Sequence, residues 1–423
     1  MSSTLSVWCS VIAFSLVSVT SGCGDGGEGG SDGGGGSDSS GGAGGTPAVA
    51  CGAVEIQPAI FMAAGDDPVS NLQLTALQGD PDHVAMVATF TSSGTTTTKF
   101  VNVNAWASSW PAFLGPLSDT GAPPTAQSIA VSEGRDFGYA LLETDGIHPL
   151  EVGWFAYEMP LPQGGQGATM LSGPADSRAA FVTRSPESGH YFGLISPVGN
   201  LYVYYDPPSF GSSGVKLLDC ARTNMSAAAF TRGDHVLVAA SSGQALGECD
   251  TLPTTEPNRV HFLSLSFASD SHGDASLLFE ELYDEPVTHV AIANAGEDEA
   301  WLGWQVGGSI LVARVDEAGA VQSGPVTVSE ASRGPFAMVM RGDELVVASA
   351  EGDPSGPADI QVTAVSASGA TRELAAFDTE EAPWSGGLSM LTSPDSSKVM
   401  VVYESTLGSS AARATARRLD CEP

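Results

Sequence analysis

The chain has 423 residues, of which 15% are charged and 7% aromatic, and it carries 51 glycines. This composition suits short strands joined by tight turns and argues against long helices. With 49 acidic and 16 basic residues the formal net charge is −33, which repels nucleic acid and anionic lipid, so nucleic acid is set aside as a partner.

Positions 7 to 19 form an apolar stretch well short of the roughly 20 residues that a membrane-spanning helix needs, so residues 1–22 read as a signal peptide that is removed. It ends in Val19-Thr20-Ser21-Gly22-Cys23, which resembles the bacterial lipobox; Thr20 stands where that pattern usually has an aliphatic residue. The resemblance implies that Cys23 is diacylated and becomes the new N-terminus. The protein is then held outside the cytoplasm on a bacterial membrane, with the outer membrane or the cell surface favoured. Residues 23–50 follow as a linker of Gly, Ser, Asp and Glu that buries too little apolar surface to fold. As a Gly-rich coil it has a reach of roughly 30 Å. The Gly24-Asp25-Gly26-Gly27-Glu28-Gly29 run inside it has no strand before it and no helix after it, so it is composition rather than a nucleotide fingerprint.

From residue 51 to 423 one pattern recurs: a short apolar strand, a polar turn, a second strand, then a wider loop. Ala229 to Ser241 aligns with Val339 to Ser349 through the shared Arg-Gly-Asp turn. The same element is read at Leu74 to Phe90, Ile129 to Glu143, Met170 to Arg184, Val290 to Trp304 and Met390 to Glu404. Third strands follow at Lys99 to Ala105, Leu150 to Tyr157, Tyr191 to Ser196, Val260 to Phe267, Ile310 to Val315, Ile360 to Val365 and Ala411 to Leu419. A period of roughly 50 residues with four short strands predicts an all-β, seven-bladed β-propeller of four-stranded blades after a disordered tether. A pair of packed β-sandwiches is the other arrangement open to the same strands. Ser393-Pro394-Asp395-Ser396-Ser397-Lys398 and Gly173-Pro174-Ala175-Asp176-Ser177-Arg178 resemble the blade turn of TolB-type and WD40-like propellers. That resemblance implies the blade fold and carries over no catalytic residue.

The last unit, Leu388 to Leu419, has only three strands. Ring closure therefore pairs Ala53 to Phe61 antiparallel with Ala411 to Leu419 and sets Cys51 beside Cys421. Cys220 and Cys249, the remaining cysteines of an even set of four in an oxidising compartment, form the second expected disulfide. In a four-stranded blade the fourth-to-first and second-to-third loops leave on one face, and the long connection Ser241 to Asn258 lies there. Contact with a partner is expected near Gln244, Glu248, Asp250 and Arg259, with Asp145 and Asp353 on neighbouring connections.

No H-x-H, H-E-x-x-H or C-x-x-C spacing marks a metal site, and no cofactor is expected. Calcium has one candidate, Asp270-Ser271-His272-Gly273-Asp274 with Glu281 at the twelfth place, an echo of the EF-hand loop with Ala275 where glycine belongs. As a polar turn it needs no ion. The acid pairs Glu280 with Glu281 and Glu297 with Glu299 serve hydrolysis only if the fold sets them across a pocket. The favoured function is a lipid-tethered binding or assembly module for a protein or glycan; the alternative is an extracellular hydrolase or lyase acting on polysaccharide.

Overall fold

The computed structural model describes residues 51–64, 69–77, 80–92, 95–104, 106, 115–116, 136–141, 151–156, 166–170, 178–184, 190–195, 200–206, 213–218, 226–243, 258–266, 274–352, 358–378, 387–407 and 411–421. Among these residues the strands form seven antiparallel sheets, six of four strands and one of three. In chain order, sheet 1 holds Val69–Leu77, Asp80–Ser92, Thr95–Asn104 and Gly115–Pro116, and sheet 2 holds Asp136–Leu141, Glu151–Ala156 and Gln166–Met170. Sheet 3 holds Arg178–Arg184, His190–Ile195, Leu201–Asp206 and Ser213–Leu218; sheet 4 holds Ala227–Arg232, His235–Ser242, Arg259–Ser266 and Asp274–Leu282. Sheet 5 holds Val287–Asn294, Glu299–Val306, Ser309–Asp316 and Val321–Ser329; sheet 6 holds Ala337–Arg341, Glu344–Glu351, Asp359–Val365 and Thr371–Asp378. Sheet 7 joins Leu388–Thr392, Lys398–Leu407 and Ala411–Cys421 to a fourth strand from the start of the domain, Cys51–Ala64.

Second strands are the core. In His235–Ser242 every residue after the first is buried, and in Glu299–Val306 and Glu344–Glu351 every residue but the two ends is buried. A strand alternates its side chains between two faces, so burial of both requires a neighbour on each side. Val236, Val238 and Ala240 pack with Phe181 and Val203 of sheet 3, whereas Leu237 and Ala239 pack with Leu302 and Trp304 of sheet 5. Sheets 5 and 6 meet through Val312, Met338 and Val347, and sheets 6 and 7 through Ile360, Val401 and Leu419. Fourth strands such as Val321–Ser329 and Thr371–Asp378 are largely exposed. First strands sit side by side from sheet 3 through sheet 7, and that of sheet 7 touches that of sheet 1. The result is an all-β, propeller-like stack.

The closing strand pairs antiparallel as expected, with Ala53 opposite Leu419, but its register shifts between Ile56 and Ile60, so that Phe61 is opposite Arg413 rather than Ala411. Cys51 and Cys421 are disulfide-bonded across a sequence separation of 370. One unit is corrected. Gln166–Met170 pairs with Glu151–Ala156 as the last strand of sheet 2, and Arg178–Arg184 opens sheet 3. The segment from Gly173 to Ser177 therefore joins two sheets, and Tyr191 to Ile195 is a second strand rather than a third. The reason is packing: this strand is buried throughout on both faces, the property of a second strand here.

The two ends of the sheets form two distinct faces. One carries tight turns: Gly233-Asp234, residues 295–298, 317–320, Gly342-Asp343, 367–370 and 393–397, together with the Cys51–Cys421 bond. Gly233 and Gly342 take φ of 55° and 56° at the first central position of two-residue hairpins, a conformation that glycine adopts without strain. The opposite face carries the connections between sheets and those from second to third strands.

Candidate functional site

Arg259, the one predicted contact residue among those described, starts the third strand of sheet 4 on this loop face. It is opposite Ser242 on one side and Leu282 on the other. Its guanidinium donates to the Glu280 carboxylate, and both side chains are about three-quarters buried. His261, two residues on and fully buried, sets Nδ1 3.9 Å from the other oxygen of Glu280. Register explains the cluster, since strand alternation puts Arg259 and His261 on one face and Glu280 is the cross-strand partner of His261.

Backbone ties fix the base of the loops around it. Ser241 N donates to Ser226 O at 2.8 Å, Ser226 N donates to Ser241 Oγ at 2.9 Å, and Val290 N donates to Ser226 Oγ at 3.2 Å. Asn258 N donates to Ser242 O at 3.1 Å, and Tyr283 N to Asn258 O at 2.8 Å. Trp304 Nε1 donates to the Tyr283 hydroxyl at 2.8 Å. Burial, and then the Glu281 carboxylate beside it, pushes that hydroxyl above the usual phenol range. In the next sheet Gln305, buried in its second strand, donates through Nε2 to Ser332 O at 3.2 Å and accepts from Thr288 at 3.1 Å. In sheet 7 the fully buried Glu404 accepts from Gly387 N at 3.2 Å. A buried polar side chain near the loop-face end of a second strand thus holds a connection between sheets in three cases, the incoming one at Ser241 and Glu404 and the outgoing one at Gln305. Sequence reasoning missed Ser241, Gln305 and Glu404 in this role. Their signal was a polar residue closing an otherwise apolar second strand.

A row of carboxylates crosses the loop-face edge of sheet 6, where Glu351 is opposite Asp359 and Asp359 opposite Asp378. A hydrogen bond with Asp378 raises the Asp359 carboxyl, reinforced by the charges of Asp378 and Glu351 and opposed by Arg333. Asp353, between the first two of these strands, lies outside the described residues, as do Asp145, Gln244, Glu248, Asp250, Cys220, Cys249 and Cys23.

Other candidates are dispersed. Asp274 and Glu281 lie near opposite ends of one strand, opposite Ser266 and Val260, so they do not approach as loop ligands would; Asp270 to Gly273 lie outside the described residues. Glu299 binds Arg314 across the sheet. The Arg-Gly-Asp tripeptides use their arginines structurally. Arg232 donates to Asn294 Oδ1 at 2.8 Å and to the Glu299 carbonyl in the next sheet, and stacks on the Phe230 ring. Arg341, 8% exposed, donates to Ser396 O at 3.0 Å and pairs with Glu344 at 3.3 Å.

The class defined by these features is an all-β, propeller-like repeat protein with the turns between first and second strands on one face and the connections between sheets on the other. No protein-family model and no curated protein matches the sequence. In structure the chain is similar to a puromycin hydrolase, with a TM-score of 0.51 and 14% identity over 86% of this chain and 55% of that one. It is also similar to a protein of unknown function from Dyadobacter fermentans (TM-score 0.49, 11% identity, 89% of this chain and 100% of that one). A fucose-specific lectin from Aleuria aurantia gives a TM-score of 0.46 at 9% identity, over 75% of this chain and 97% of that one. At such identities the likeness speaks to fold alone.

Proposed function

We propose that the chain is a lipid-tethered binding module: a seven-bladed propeller, anchored outside the cytoplasm through Cys23, that recognises a protein or glycan with its loop face. The observation that carries this reading is the anchored base of the 243–258 connection, the longest between two strands of one sheet: Ser226, Ser241 and Asn258 fix it on the face that also carries the connections between sheets. Long connections on a rigid scaffold are where recognition usually resides, because the scaffold bears the ordering cost in advance. The Ser226–Ser241 bonds also bring the ends of segments 219–225 and 243–257 together, which supports a Cys220–Cys249 bond as a staple between them. Gln244, Glu248, Asp250 and Arg259 are the proposed contacts in this connection, with Asp145 and Asp353 beside it.

The test replaces residues 244–257 by a short Gly-Ser turn, keeps Ser241, Ser242 and Asn258, and adds Cys220→Ser. Wild type and variant are compared by crosslinking in native membranes and by binding to a glycan panel. Loss of the wild-type interactions from a folded variant is expected; their retention at wild-type level overturns the assignment to this connection.

A further inference from the structure

We infer that the tight-turn face is the membrane side of this protein and that the loop face is presented away from the bilayer. This rests on the proposed anchor at Cys23, but its geometry comes from the domain. Cys51 is the first residue of the closing strand, opposite Cys421, and Cys421 N donates to Ser397 O at 2.9 Å within the turn 393–397. That turn is on the same face as its neighbours, because Arg341 Nε donates to Ser396 O at 3.0 Å and Gly342 N to Ser396 Oγ at 3.1 Å. The linker therefore enters the domain on the turn face. The disulfide fixes that entry point covalently, so a pull along the linker is borne by the Cys51–Cys421 bond before it reaches the hydrogen bonds of the edge strand.

Distance makes the choice of side matter. The second strand of sheet 7, Lys398–Leu407, has ten residues and spans about 30 Å at the usual strand rise. Turning the loop face to the bilayer makes the linker run around the domain, over a length comparable to its whole coil reach of roughly 30 Å. Charge sets the standoff. The turn face exposes Asp234, Glu297, Asp298, Glu317, Asp343 and Asp395, while the nearby Arg232, Arg314 and Arg341 are drawn into bonds with the protein. Such a face is repelled by anionic headgroups within a Debye length, so the domain hovers rather than lies on the surface.

The experiment places one dye on the full-length lipidated protein, at Ala367→Cys on the turn face or at Ala331→Cys on the loop face. Both positions are exposed alanines. Phosphatidylcholine vesicles carry a headgroup quencher. Quenching more than about twofold stronger at 367 than at 331 is expected, given faces about 30 Å apart. Equal quenching, or stronger quenching at 331, overturns the orientation. The same pair is measured on chains beginning at Gly24, which lack the Cys23 thiol, with an N-terminal hexahistidine tag on nickel-chelating lipid. Absence of acyl mass on the mature chain then refutes the anchor alone, while the tagged pair still decides the orientation. Adding phosphatidylserine at low salt is expected to weaken quenching at 367, and an increase overturns the standoff.

Discussion

Arg341 and Asp395 show what single side chains on the turn face do. The Arg341 guanidinium is buried between Ser396 O and Glu344, and Glu344 also holds Arg372 at 2.9 Å. Arg341→Ala leaves a part-buried carbonyl without this donor and Glu344 with Arg372, so a loss of about 1 kcal/mol is expected in urea unfolding. Asp395 accepts from Ser393 Oγ at 2.5 Å, Ser397 Oγ at 2.8 Å and Ser397 N at 3.1 Å, and these bonds, that of Ser393 first, lower its carboxyl to about 2. A depressed carboxyl stabilises the fold above its unfolded value of about 4 and loses that contribution as pH falls towards 2. Asp395→Asn should therefore lower Tm at neutral pH, and its difference from wild type should shrink between pH about 4 and 2. A difference that stays constant across that window refutes the charge-based account. Arg259, which the sequence marks as a contact, is also paired with Glu280, a partner chosen by strand register rather than by chain proximity.

Between elements, the close approach of sheets 5 and 6 fixes which residues fit. A Cβ on Gly303, in the second strand of sheet 5, would meet Met338 Sδ at 2.3 Å and Phe336 Cε2 at 2.8 Å. Gly303→Ala is expected to cost about 1–3 kcal/mol by overpacking. Met338→Ala in the same molecule should recover part of that loss, so that the double variant is less destabilised than the sum of the singles. Simple additivity in thermal unfolding refutes direct contact as the cause. Strand identity was legible for most units because apolar runs such as Val236 to Ala240 and Leu345 to Ala350 are bounded by turn chemistry. It failed around residue 178. Gly173 to Ser177 and Ser185-Pro186-Glu187-Ser188-Gly189 are two turn-like segments twelve residues apart by their numbers, and local chemistry does not rank them. The pairing of Arg184 with His190 decides it, making residues 185–189 the link between the first and second strands of sheet 3.

At the scale of the whole molecule, the chain joins its two ends. Cys51–Cys421 closes nearly the entire domain, and on the chain-entropy model such a bond contributes up to about 5 kcal/mol, less any strain. Cys51→Ser with Cys421→Ser should lower the urea midpoint and speed proteolysis within Cys51–Ala64, which is an edge strand held by one neighbour. An unchanged midpoint and unchanged cleavage would show that hydrogen bonds alone keep the ring closed. The all-β class, the strand count per unit and this closure were all legible in the sequence itself. They depend on local composition, on period-two patterning and on one arithmetic fact, a last unit lacking its fourth strand. Tertiary structure alone decided which sheet owns Gln166–Met170, which carboxylate meets Arg259, and that Cys421 is bonded to the turn 393–397. Each of these is a contact between residues far apart in the chain, and such contacts are selected by packing on both sides of a strand, which no local pattern encodes.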